Sequence, residues 1–124
     1  MDRKLIEKII GKKNYVNLND EIYILRETTS VMRESIQNNL VFTKELIEKA
    51  SIKASKSKGI VKEIIKGLEN DSFVAGYTNS KKYLLEYLKD INNNLDGIIK
   101  STDPFNYDEL IIYTNSLIDL ILIF

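Results

Sequence analysis

DEIYILRETTSVMRESIQNNLVFTKELIEKASIKASKSKGIVKEIIKGL, residues 20–68, places its apolar and small side chains at a spacing that only a helix can bring together. At 100° per residue, Ile22, Leu25, Thr29, Met32, Ile36, Leu40, Thr43, Ile47, Ala50, Ala54, Val61, Ile65 and Leu68 fall inside one arc of about 100°. A weaker second stripe holds Ile24, Val31, Phe42, Leu46, Ile60 and Ile64. A helix with two apolar stripes touches two neighbours, so the expected fold is all-α, a single-domain bundle spanning 1–124.

An unbroken helix over 20–68 would be about 73 Å long, against about 30 Å for each of the helices that follow. Much of its stripe would then have nothing to cover it. The stripe also thins to small residues between Ala50 and Gly59, and Gly59 can close one helix before Ile60 begins another. A long central helix of about 20–55 is therefore expected, with a rod over 20–68 as the alternative, giving five helices or four.

On the N-terminal side, Asp2 can cap a short helix carrying Leu5, Ile6, Ile9 and Ile10, which Gly11 stops. Lys12 to Asn19 reads as a connection, and Asn19 or Asp20 opens the long helix. On the C-terminal side, Asn70 to Asn79 reads as a loop in which Phe73, Val74 and Tyr77 pack down. Ser80 then caps a helix whose stripe is Leu84, Leu88, Ile91, Leu95, Ile98 and Ile99. Asp103 with Pro104 reads as the start of a last helix over 104–124, because proline at the first helical position loses no hydrogen bond.

Composition excludes more than it suggests. There are 18 basic and 18 acidic residues, so no whole-molecule field favours nucleic acid or an anionic membrane. The chain has no cysteine, histidine or tryptophan. Disulfides, the usual zinc sites and Ser-His or Cys-His nucleophile pairs are thereby absent, and acid–base chemistry is left to carboxylates, Lys and Tyr. Catalysis, a metal, a cofactor and a small-molecule substrate are not expected. The charged amphipathic N-terminus is unlike a secretory signal, and a cytoplasmic protein is expected. Lys, Ile and Asn are abundant, as AT-rich coding from a low-GC bacterium, phage or plasmid would give.

Three motifs compete for attention. Lys49, Lys53, Lys56, Lys58, Lys62 and Lys66 lie in a segment with no acid between Glu48 and Glu63, Lys49, Lys53 and Lys56 on one helical face and Lys58, Lys62 and Lys66 on another. Such lysines can hold phosphates, but neither arginine for base reading nor an aromatic for stacking accompanies them. Nucleic-acid binding is therefore the alternative function, behind a solvated lysine face. Asn92 to Asp103 resembles an EF-hand loop, with oxygen side chains at its first, third and fifth places and Gly97 sixth. Its two carboxylates and Lys100 supply too little charge for calcium, and Leu95, Ile98 and Ile99 stay in phase with Leu84, so a helix running straight through is expected. Ser55 and Lys58 match an acylase S-x-x-K spacing without its partner motifs.

The tail is the last feature. Lys100 is the final cation, and the chain ends Leu117-Ile118-Asp119-Leu120-Ile121-Leu122-Ile123-Phe124. Asp108, Glu109, Asn115, Ser116 and Asp119 share a polar arc, into which Phe105, Ile112 and Ile123 intrude. The apolar stretch is short for a bilayer and contains Asp119, so membrane insertion is not expected. Apolar surface left over by a bundle usually marks an interface. The expected function is accordingly a non-catalytic protein-binding bundle of adaptor, chaperone, immunity or assembly-subunit type. It self-associates, in the expected reading as a twofold homodimer, through Phe105, Ile112, Leu117, Ile121, Ile123 and Phe124.

Overall fold

The computed structural model describes residues 1–38 and 41–124. Among these there are five α-helices and no strand: α1 (Arg3–Ile10), α2 (Lys12–Gln37), α3 (Lys44–Glu69), α4 (Thr78–Thr102) and α5 (Tyr107–Leu122). Helices α2, α3, α4 and α5 pack each against the next, and α5 closes back onto α2, leaving α3 and α5 at opposite corners. Cross-helix pairs fix the directions. Lys58 meets Asp96 while Glu69 meets Lys89, and Gly97 faces Tyr113 while Tyr87 reaches Leu120, so neighbours run antiparallel. This is an up-down-up-down bundle with one additional short helix.

Local chemistry sets most of the boundaries. The carboxylate of Asp2 accepts the Leu5 N–H at 3.2 Å, the Thr43 hydroxyl accepts the Leu46 N–H at 3.1 Å, and the Asn106 side chain accepts the Glu109 N–H at 3.1 Å. Gly11 ends α1 at φ +86°, a conformation that suits glycine, and α2 starts at the very next residue.

Several boundaries differ from the sequence-based expectation. Neither the helix over 20–55 nor the rod over 20–68 forms; α2 ends at Gln37 and α3 runs unbroken from Lys44 through Gly59. The stripe stays in phase across the reversal because each helix presents one apolar face, and phase carries no information about direction. Leu40 of that stripe lies outside the described residues. The thinning at Ala50, Ala54 and Ser57 marks buried small side chains, where a slim face lets α3 sit close to its neighbours. Lys12 to Asn19, expected as a connection, is the first part of α2, with Leu18 fully buried. Tyr77 rather than Ser80 precedes α4, in the left-handed region at φ 55°, and both Val74 and Tyr77 are exposed while Phe73 packs under Gly67. Pro104 lies in a turn before α5, closed by the Asn106 N–H on the Ser101 carbonyl at 2.8 Å. The last helix is therefore Tyr107–Leu122, not 104–124.

Gly59 lies within α3 on its solvent side, and a Cβ there would have no atom within 4 Å. Glycine inside a helix costs roughly 0.5–1 kcal/mol relative to alanine. Gly59→Ala is thus expected to stabilise the protein by about that amount, seen as a higher urea midpoint with an unchanged slope.

The core runs the length of α4 through Leu84, Leu88, Ile91, Leu95 and Ile98, faced by Ile22, Leu25 and Met32 of α2, Val61 and Ile64 of α3, and Leu110, Leu117 and Ile121 of α5. One polar pair interrupts it. Glu21 is buried, and its carboxylate accepts the Ser57 hydroxyl at 2.7 Å, tying α2 to α3 at one register.

Helix α5 has 16 residues against 26 in α3, about 24 Å against about 39 Å. It therefore leaves the first turns of α4 uncovered, and α1 occupies that place with Ile6, Ile9 and Ile10 buried. The junction is polar at the backbone: the Met1 amino group donates to the Ile123 carbonyl at 3.0 Å and Arg3 Nε to the Phe124 carbonyl at 3.2 Å. Positive charge at the carbonyl end of α5 is the favourable polarity for the helix dipole.

Candidate interaction surface

Helix α5 has an inner face of Leu110, Thr114, Leu117, Ile118 and Ile121, all buried. Its outer face holds Asp108, Ile112, Ser116 and Asp119, all exposed. Ile112 is 60% exposed in the middle of that face, one helical turn from Asp108 and two from Asp119. Phe105 and Ile123, which bracket the helix, are 46% and 48% exposed. The three apolar residues that intrude into the polar arc thus do lie in solvent.

The other three residues assigned to an interface do not. Leu117, Ile121 and Phe124 are buried within the protein's own core. The Phe124 ring stacks on Tyr87 at 6.4 Å between centroids, with the Arg3 guanidinium 5.3 Å from its own centroid. Periodicity placed Phe105, Ile112 and Ile123 in the polar arc but could not tell how much of the opposite apolar arc of α5 its two neighbours cover. Tyr87 belongs to the same anchor: its hydroxyl donates to the Leu120 carbonyl at 2.7 Å, and burial raises its pKa above the usual phenolic value.

At the end of the bundle where α5 begins, Phe42 and Tyr107 pack at 5.3 Å between centroids, with Phe105 edge-on to Tyr107 at 6.4 Å. Phe42 is buried there, and Phe105 and Val41 remain open to solvent.

The six lysines of α3 fall on two flanks of the helix. Lys58 is turned toward α4, where it meets Asp96 at 2.6 Å, and Lys100 holds the other oxygen of the same carboxylate at 2.9 Å. Hydrogen bonds from Lys58 and then Lys100 hold the Asp96 pKa below the usual carboxylate value. Lys49, Lys56, Lys62 and Lys66 are exposed and Lys53 is half-buried. Around Lys49 and Lys56 lies a feature that the sequence pattern alone did not single out: Ile52, on the outer face of α3, is 67% exposed. Its sequence signal was its place opposite the stripe of Ala50, Ala54 and Val61.

The stretch resembling a calcium loop is helical from Asn92 to Thr102, and only its last residue, Asp103, lies past the end of α4 in extended conformation. Its Asp96 is engaged by two lysines, and Gly97 lies flat against the Tyr113 ring. Among the described residues no group of three or more acidic, His or Cys side chains could hold a metal ion, and no helix is long and apolar enough to cross a membrane. A cleft of about 300 Å³ separates α1 from the start of α4, lined by Leu5, Ile6, Ile9, Tyr83 and Leu84. It is the seam where the short α1 stands in for the missing turns of α5.

The chain therefore belongs to the class of antiparallel α-helical bundles, with an exposed acidic and apolar strip on its last helix. Compared with protein-family models, curated proteins and solved structures, it matches none.

Proposed function

We propose that this protein is a non-catalytic, cytoplasmic helical bundle that works by binding protein chains, copies of itself included, through the outer face of α5. The observation that carries this reading is Ile112, an isoleucine set 60% open among carboxylates on the one helix that has no cation. Large aliphatic groups scattered singly over a surface are ordinary. Here, however, Phe105 and Ile123 extend the exposed apolar surface beyond both ends of α5. The absence of histidine and cysteine also favours binding over catalysis. Adaptors, chaperones, immunity proteins and small assembly subunits work in this manner.

Sedimentation over a concentration series tests the self-association. Wild type is expected to gain mass with concentration, and Ile112→Asp to stay monomeric while its stability changes by no more than about 0.5 kcal/mol, as at other exposed sites. A wild-type mass that stays at the monomer throughout overturns self-association.

A further inference from the structure

The charges of this neutral protein are segregated between opposite corners of the bundle. Helix α3 carries seven lysines against four glutamates, a formal +3, while α5 carries three carboxylates and no cation, a formal −3. On the outer face of α3, Ile52 lies between Lys49 and Lys56, three residues before it and four after it, on a face that also carries Glu45 and Glu48, the latter 4.0 Å from Lys44. On the outer face of α5, Ile112 lies between Asp108 and Asp119. Both isoleucines are at least 60% exposed. Among the described residues, none of Lys49, Lys56, Asp108 and Asp119 has an ion-pair partner within 4.0 Å. Each face thus presents a bare isoleucine beside two unpaired charges, lysines on α3 and aspartates on α5, on helices whose formal charges are opposite in sign.

They cannot satisfy one another within a molecule. Helices α3 and α5 are diagonal in the ring, so their outer faces look away from each other. We infer that the occupant of the α5 face is the α3 face of a second copy, the isoleucines meeting while Asp108 and Asp119 face Lys49 and Lys56 of the neighbour. Such a contact is heterologous: a joined pair keeps one free face of each kind, one on each copy, and assembly continues head to tail instead of closing as a twofold dimer. Opposed charges steer and register the contact, and the small apolar centre makes it weak and salt-sensitive. This rests on the reading of α5 as a protein-binding surface and names its partner.

The lack of cysteine permits a direct test. Ser55 and Ser116 are exposed beside Ile52 and Ile112. Ser55→Cys and Ser116→Cys proteins, alone and mixed, are treated with a short bis-maleimide at roughly 10 mM salt and at roughly 1 M salt, where the screening length falls from about 30 Å to about 3 Å. Cross-links between position 55 of one copy and 116 of the other, lost at high salt, are expected. A second arm uses charge reversal. Lys49→Glu with Lys56→Glu, and separately Asp108→Lys with Asp119→Lys, should each lower association about tenfold or more, and mixing the two proteins should restore it. Cross-links of 116 to 116 alone would overturn the head-to-tail contact while leaving α5 as a self-binding face. Monomeric protein with no cross-link at any concentration would overturn both.

Discussion

Leu117→Asp is expected to abolish the folded state, whereas Ile112→Asp, five residues away on the same helix, leaves it intact. Leu117 has no solvent exposure and lies on the inner face of α5. Truncating a buried leucine costs about 2–5 kcal/mol, and an unpaired carboxylate in its place adds several more. A small domain has only about 5–15 kcal/mol in total. Circular dichroism followed on heating should therefore show Leu117→Asp without a cooperative thermal transition and Ile112→Asp with one close to wild type. The pair is decisive because both residues were assigned to one interface, and the tertiary structure buries the first and exposes the second. A Leu117→Asp protein melting like wild type would mean that α5 is rotated about its axis relative to the packing described.

Gly97→Ala has the second large effect, opposite in sign to Gly59→Ala. By helix propensity alone, alanine should gain about 1 kcal/mol at either position, since both lie inside helices. At Gly97, however, an added methyl would overlap the Tyr113 ring where α4 crosses α5, and the overlap reaches the ring carbon nearest the backbone. Swinging the ring tip aside cannot relieve it, so helix separation or a rotamer change must. Overpacking of this kind costs typically 1–3 kcal/mol, which outweighs the propensity gain. Chemical denaturation should place Gly97→Ala about 1–2 kcal/mol below wild type. Tyr113→Ala should recover part of that loss in the double variant, a coupling that contacting residues show and distant ones do not. Stabilisation by Gly97→Ala would show that α4 and α5 do not approach closely there.

The two glycines also show how much of the fold was legible. The α4 stripe of Leu84, Leu88, Ile91, Leu95 and Ile98 was readable as one helical face, and its phase carried the helix correctly from Asn92 to Thr102 against a motif that suggested a loop. Gly59 suggested a helix end and is not one, because a single solvent-facing glycine costs too little to end a helix whose other residues are packed. The real break, where α2 ends at Gln37 and α3 begins at Lys44, had a weaker signal: Asn38 just past one helix and Thr43 as the cap of the next. An unbroken stripe on both sides concealed it, since two antiparallel helices bury their faces with the same period as one long helix.

For the candidate surface, the residue pattern was informative about type and silent about place. It marked Phe105, Ile112 and Ile123 as intruders in a polar arc, and these are exposed. It grouped them with Leu117, Ile121 and Phe124, which the bundle buries. Ile52 was passed over because a lone isoleucine opposite an apolar stripe has no distinguishing mark until the lysines and the diagonal α5 are placed around it.

What this sequence determined by itself is the class of object: helical throughout, because apolar residues recur at 3.6 and nowhere alternate, and without the side chains for common nucleophilic or zinc chemistry, because histidine and cysteine are missing. What only the tertiary structure decided is which apolar residues are left over. Periodicity defines a face for each helix, but the width of that face that is covered depends on how many neighbours it has and how long they are. Helix α5 is short, has two neighbours in the ring, and is continued by α1. Its packing buries Phe124 under Arg3 and leaves Ile112 in water.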